Sequence, residues 1–159
     1  MMNYHINKKN NEIIDQKEIQ RIIRNGKYIV IAMCRNNEPY IATLSYGYDD
    51  TNSCLYFHSA LKGLKMDIIK TNPEVIATII EDHGYQMDQC KHPFSSVVIK
   101  GTMTLVETTE GKIHAMHTLM EHLEESPEIV KKRLKNDRVY NTISILKLEI
   151  EDIRGKSGS

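Results

Sequence analysis

The sequence predicts an α+β domain, mainly β, in which about six antiparallel strands close into a small barrel with helices packed outside. Three observations predict it. Short runs rich in β-branched and aromatic residues recur along the chain, most of them joined by turn chemistry. Helical periodicity is confined to a few segments. The order of elements is mixed, which argues against a parallel sheet built from βαβ units. At 159 residues the chain is read as one domain spanning 1–159. A chain of this length buries roughly 68–70% of its unfolded surface, enough for a core without disulfides or structural metal.

The first element is a helix. Asp15 can cap it, Glu18 completes a capping-box pattern, Ile19, Ile22 and Ile23 form its apolar face, and Gly26 is placed to stop it. KYIVIAMC is of strand length and rich in β-branched residues; RNNEP is a turn; YIATLSYGY is a second strand, and DDTNS a second turn. CLYFHSA is a third strand. ALKGLKMDIIKTNP opens with a glycine-bearing turn and continues as a short helix, packed through Met66 and Ile69, that ends before Pro73. EVIATIIE is a fourth strand, residues 82–94 a polar loop, and SSVVIKGTMTLVE a long strand in which Gly101 marks a bulge or a close approach. Residues 110–125 read as a helix with Ile113, Met116, Met120 and Leu123 on its stripe. Ser126 and Pro127 restart a helix, as cap and first position. TISILKLEIEDI is the last strand, and the tail from about 155 to 159 is expected to be mobile.

Composition narrows the function. Twenty-one Lys and Arg balance 21 Asp and Glu, giving no formal net charge. That balance argues against a general nucleic-acid binder and against a polybasic membrane anchor. The three cysteines, Cys34, Cys54 and Cys90, have no CxxC spacing, so a reducing compartment fits better than a disulfide framework. The first residues show no apolar targeting core, and the longest apolar runs, such as 28–34, are far shorter than a membrane span. The expectation is a cytoplasmic protein with neither nucleic-acid nor membrane partner.

The most informative stretch is YFHSALKGLK, residues 56–65. A strand ends, a polar pair follows, and a glycine turn leads into a helix. Free backbone N–H groups and the positive helix end favour an anion there. Ser59 offers a hydroxyl donor, and Lys65, with Lys62 beside it, offers a point charge for phosphate. The same spacing also suits an ordinary strand–turn–helix with solvated lysines.

Together with PYIATLSYGY, FSSVVIKGTMTLVE and IEDIRGK, this stretch resembles the pyridoxamine 5′-phosphate oxidase-like FMN-binding split-barrel superfamily. It is similar, more narrowly, to the 5-nitroimidazole-resistance (Nim-like) branch. The resemblance runs from about Ile14 to Lys156 and is most specific over YFHSA-x-x-G-x-K. It implies a homodimer of six-stranded antiparallel split barrels, with flavin sites at the subunit interface. It implies that Ala42, Thr43, Leu44 and Ser45 line the flavin ring, mostly through main-chain groups. His58, Ser59 and Ala60 would run beside ribityl and ring, and Lys65 would bind the phosphate. Ser96 and Val97 would contribute to the partner's site, with the tail near Lys156. The chain departs from the branch at Thr43, where relatives often have proline, and at Phe94-Ser95-Ser96-Val97, where they often carry arginine after the aromatic residue. It has no tryptophan, and it lacks the arginine and tryptophan signals of true pyridoxamine-phosphate oxidases, so pyridoxal phosphate synthesis is not expected.

The implied function is an FMN-dependent oxidoreductase passing electrons or hydride to a small planar acceptor, nitroaromatics included. The alternative is a non-catalytic flavin or haem carrier or sensor; FAD is a further cofactor alternative. His58 is the catalytic candidate, as a proton donor near the ring; its bland reading is a strand-end histidine with a structural hydrogen bond. His114, His117 and His122 could share a helix face with Glu121, but the spacing is not HExxH, so they are read as solvated and no metal site is expected. His83 and His92 lie in the 82–94 loop, where they could border the cleft. Cys34 is read as core, and the methionines of the 110–125 helix as packing.

Overall fold

The computed structural model describes residues 9–134, 140 and 142–158. Among the described residues, eight strands and four α-helices follow a short 3₁₀ turn at Lys9–Asn11. The strands are β1 (Glu12–Ile13), β2 (Tyr28–Arg35), β3 (Glu38–Ser45), β4 (Gly47–Asp49), β5 (Cys54–Ser59), β6 (Glu74–Asp82), β7 (Phe94–Leu105) and β8 (Ser144–Gly158). The helices are α1 (Gln16–Asn25), α2 (Leu64–Thr71), α3 (Thr109–Leu123) and α4 (Pro127–Arg133). Every ladder is antiparallel. The order is β3-β2-β6-β7-β8-β5-β4, with β1 added to β8.

The α+β class and the antiparallel pairing agree with the sequence. Closure does not: the sheet is not joined into a ring by hydrogen bonds, because β3 and β4 stand at opposite ends of the path. These two ends are nevertheless consecutive in the chain, separated only by Tyr46. YIATLSYGY, expected as one strand, is therefore two. Tyr46 is wholly buried and its hydroxyl donates to the Ile23 carbonyl at 2.6 Å. The next residue, Gly47, packs so closely on α3 that a Cβ would lie 2.6 Å from the Leu119 nitrogen. A side chain pinned inward and a glycine against a helix backbone bend the strand there. β1 was not foreseen, because two residues carry no period.

The core follows the alternation of buried and exposed residues along the strands. Ile29, Ile31 and Met33 of β2, Leu55 and Phe57 of β5, and Val97 and Ile99 of β7 point inward, and α1 covers them with Ile19, Ile22 and Ile23. A smaller cluster joins Ala115 and Leu119 of α3 to Cys54, Tyr56 and Ile145. Gly101 sits where the β7–β8 register shifts, and a Cβ there would collide with the Glu149 carbonyl, so the bulge is confirmed.

Several local expectations change. The Asp15 carboxylate caps α1 by accepting from the Lys17 N–H, but Glu18 pairs with Arg21 rather than completing the box. Ser126 makes no side-chain cap to α4. The buried residues of α3 are Ala115, Leu119 and Met120, with Ile113, Met116 and Leu123 only half-buried. The inner face is rotated because Ala115 and Leu119 face the β5 cluster. Cys34 is half-buried rather than core. The tail up to residue 158 continues β8, with Lys156 opposite both Glu12 and Ser96. Gly155 and Gly158 permit this, since a Cβ on either would press on Ile13 or Phe94. Residue 159 lies outside the described residues. Among the described residues, no helix is long and apolar enough to cross a membrane.

Candidate functional site

β3 has a single ladder partner, β2, so its other edge carries unpaired main-chain groups. That edge approaches β5. Ser45 ends β3 and His58 lies near the end of β5, and both line one groove of about 360 Å³. His58 is the exposed residue of an otherwise buried strand. No side-chain hydrogen bond is made by His58 or Ser45 within the described residues. The bland reading of His58, a satisfied structural histidine, therefore has no partner in support.

The rest of the groove comes from α3 and α4: Met116, Leu119, Met120, Leu123, Glu124 and Val130. Sequence reasoning missed these residues by assigning the α3 methionines to packing alone. The available signal was a stripe too wide for one buried face, spanning 113, 116, 119, 120 and 123.

Directly after β5 the chain turns at Ala60–Gly63 into α2. Gly63 has φ 140°, a region that side chains disfavour, while the space around its missing Cβ is open. Backbone conformation, not close approach, requires glycine here. The Gly63 carbonyl accepts from the Met66 and Asp67 N–H groups, leaving the N–H groups of Leu64 and Lys65 without intrahelical acceptors. Ser59 is buried and its hydroxyl meets the Ala60 carbonyl at 3.3 Å and Met66 Sδ at 3.7 Å. Both contacts are long, so a stronger acceptor could draw the hydroxyl away. Lys65 is half-buried and Lys62 exposed.

Ala42 and Leu44 are half-buried and Thr43 exposed on β3. Ala60 is exposed at the mouth of the turn. Ser96 and Val97 are not brought to the groove within this chain, because β2 and β6 stand between β3 and β7. Val97 is wholly buried in the core, and the Ser96 hydroxyl donates to the Lys156 carbonyl at 3.4 Å.

Four further histidines, His83, His92, His114 and His122, make hydrogen bonds to other residues. His114 Nε2 lies 2.8 Å from Asp49 Oδ2. Burial pushes the Asp49 carboxyl up, but hydrogen bonds from Asn52 and His114 outweigh it and hold the group below the usual carboxylate range. His83 Nε2 meets Ser95 Oγ at 3.1 Å, and His92 Nε2 meets Asp82 Oδ1 at 2.8 Å, fastening the base of the 82–94 loop. Among the described residues no three His, Cys, Asp or Glu side chains are grouped to hold a metal.

His122 joins α3 to the α1–β2 junction, with Nε2 2.7 Å from the Gly26 carbonyl and its ring 4.8 Å from that of Tyr46. Burial lowers its pKa from the ordinary 6.5, against the raising effect of the Gly26 carbonyl. The folded protein thus binds this proton less readily than the unfolded chain, and stability falls as pH drops below about 6.5. His122→Gln should flatten that part of the curve in urea titrations from pH 8 to 5, windows given roughly by the histidine range. An unchanged slope would rule the histidine out. The lowered carboxyls of Asp49 and Asp82 act in a separate window, losing their contribution as pH falls below about 4.

Comparison with known proteins adds the following. The family profile described as pyridoxamine 5′-phosphate oxidase matches residues 15–157. An uncharacterized protein of Rhizobium meliloti is 28% identical over 111 residues, covering 67% of this chain and 68% of the relative. The crystal structure of a candidate 5-nitroimidazole antibiotic resistance protein from Bacteroides thetaiotaomicron superposes with a TM-score of 0.80 at 23% identity, covering 92% of this chain and 86% of the other. An FAD and heme binding protein from Mycobacterium smegmatis gives 0.77 at 11% identity, over 94% of this chain and 74% of the other. At these identities the structural likeness speaks for the fold.

Proposed function

Because the chain belongs to the pyridoxamine 5′-phosphate oxidase family, we propose that it binds a flavin, FMN, and acts as an oxidoreductase toward a small planar acceptor, nitroaromatics included. The observation that carries this reading is the convergence of Ser45 and His58, from two separate strands, on one groove beside the free edge of β3. The residues present fit the cofactor: an unpaired strand edge for a flat ring, and a helix start with open N–H groups beside Lys65 for a phosphate.

A bound flavin supplies the redox step; the protein supplies binding, orientation and electrostatics. Lys65 would neutralise the phosphate, with the N–H groups of Leu64 and Lys65 donating to its oxygens. Ser59, Ala60 and the main chain of Ala42, Thr43, Leu44 and Ser45 would hold the ring and its side chain. His58 would keep a proton on its imidazole within reach of the groove. The closed core side of β5, where Phe57 is wholly buried, keeps water from that direction.

The reading includes a homodimer. On the outer face of the sheet Ile41, Ala32 and Ile76 stand opposite one another in register. With Tyr28 at 67% and Ile80 at 60% exposure, they form an uncovered apolar surface. A second copy would cover it and bring Ser96 to the neighbouring groove. Three free cysteines suit a cytoplasmic setting. A carrier or sensor of flavin or haem is the second reading, favoured by the neighbour that binds both FAD and heme.

The test is a visible absorbance scan of the purified protein, followed by FMN titration and mass spectrometry of released cofactor. Flavin bands with a released mass of FMN are expected. No bands and no uptake would defeat the proposal, and a Soret band without flavin would transfer it to the second reading.

A further inference from the structure

α3 lines the groove beside Ser45 and His58, and its two halves are fastened in different ways. In the first half the Thr108 hydroxyl accepts from the Gly111 N–H, and Lys112 Nζ donates to the Tyr140 and Ile143 carbonyls. Ala115 and Leu119 enter the small apolar cluster, and Gly47 packs on the Leu119 backbone. His114 Nε2 meets Asp49 Oδ2, and Asn52 bonds to the same carboxylate through its main-chain and side-chain N–H groups. The last turn is held by less. Met120 is buried, but His122 and Leu123 are only half-buried. Its polar pins are His122 Nε2 on the Gly26 carbonyl, at 2.7 Å, and Lys27 Nζ on the His122 carbonyl, at 2.6 Å. Glu121 ties α4 to this turn through Lys131.

The two histidines answer acid in opposite senses. A proton on His114 adds a charge facing Asp49, whose carboxyl is held below the usual range, so that pin tightens. A proton on His122 puts a cation into a half-buried space beside the Lys27 ammonium. Burial and Lys27 oppose that cation and outweigh the Gly26 carbonyl, which favours it. The carbonyl end of α3 also favours a cation, but it travels with the ring and does so in both positions. The remaining charges are engaged or distant: Glu81 of β6 acts on the Tyr46 hydroxyl and is held by Arg21, Glu121 is held by Lys131, and Glu124 is exposed. Docking of the last turn is therefore strongest with His122 neutral, and it weakens as pH falls below about 6.5.

We propose that α3 is an acid-sensitive gate. When His122 takes up a proton, the last turn of the helix leaves its dock together with α4, while the His114–Asp49 pair holds the first half in place, so the groove opens from the Leu123 end. That the opening lets a flavin go rests on the flavin reading; the hinged release of α3 does not.

The test is amide hydrogen exchange of the purified full chain, read by mass spectrometry at about pH 7.5 and about pH 5, on either side of the histidine range, and corrected for the chemical exchange rate. Protection over residues 120–124 should fall severalfold in acid, while that over 112–118 stays within about twofold, as a local opening requires. His122→Gln keeps a donor for the Gly26 carbonyl and cannot take up a proton, so it should abolish the acid-induced fall; a merely structural histidine would give equal losses at both pH values. If that variant fails to fold, Lys27→Gln, which keeps a donor for the His122 carbonyl and removes the repelling charge, should shrink the fall. Protection that does not change with pH overturns the gate, as does a fall that persists in His122→Gln or one that is equal in both halves. In flavin-loaded protein, FMN should leave severalfold faster at the lower pH in the parent but not in His122→Gln. The phosphate of FMN titrates in this range too, but equally in both proteins, so the comparison isolates His122. Release that ignores pH while residues 120–124 open would overturn the opening of the groove. A chain that takes up no flavin defeats the cofactor reading and leaves the exchange pattern to decide the gate.

Discussion

Lys65→Ala should weaken FMN uptake by about 10- to 100-fold, while Lys62→Ala should change it by less than about threefold. The difference is one charge-assisted hydrogen bond to a phosphate, worth about 1.5–3 kcal/mol. Lys65 is half-buried, in the first turn of α2, whereas Lys62 is exposed before Gly63. A charge held near the open N–H groups acts with them on the same oxygens; one free in solvent is screened. Fluorescence-quench titration of FMN into stripped protein reads both variants. Matching affinities for the parent and Lys65→Ala would mean the phosphate lies elsewhere.

Tyr46→Ala should cost about 3–5 kcal/mol, a large part of the stability of a domain this size. Tyr46 is among the largest wholly buried side chains, and it is the single residue between β3 and β4, the two ends of the sheet path. Tyr46→Phe keeps the ring and loses the bond to the Ile23 carbonyl, so about 1–2 kcal/mol is expected. Urea unfolding followed by circular dichroism separates the two. If both variants lose equally little, Tyr46 is not what fixes the β3–β4 bend.

Most of the strands were legible because their burial follows period two with β-branched residues, as in β2 and β6. Turn chemistry marked Gly101 and the end of α2 before Pro73. What escaped depended on contacts distant in sequence. The break at Tyr46 needs the Ile23 carbonyl and the α3 backbone at Leu119. The pairing of residues 155–158 runs along the start of β7, with β1, itself too short to announce itself, added at 155 and 156. His114 and His122 of α3 looked solvated because their partners, Asp49 and the Gly26 carbonyl, are 65 and 96 residues away. At the candidate site, Ser45 and His58 were chosen through resemblance, and the structure brings them to one groove. The α3 and α4 walls of that groove could not be read, since which side of an apolar helix stays uncovered is decided by how it docks.

β8 has a consequence for how the molecule is made. It follows every other strand in the chain, yet it lies between β7 and β5 and also receives β1. On the ribosome, β5 with β4 hangs as a separate hairpin, and β7 is an open edge, until the residues from Ser144 onward have emerged. Native pairing is therefore completed only once β8 is available, by long-range contacts that form slowly, and a nascent chain stalled short of Ser144 exposes two sticky edges to chaperones or to other chains.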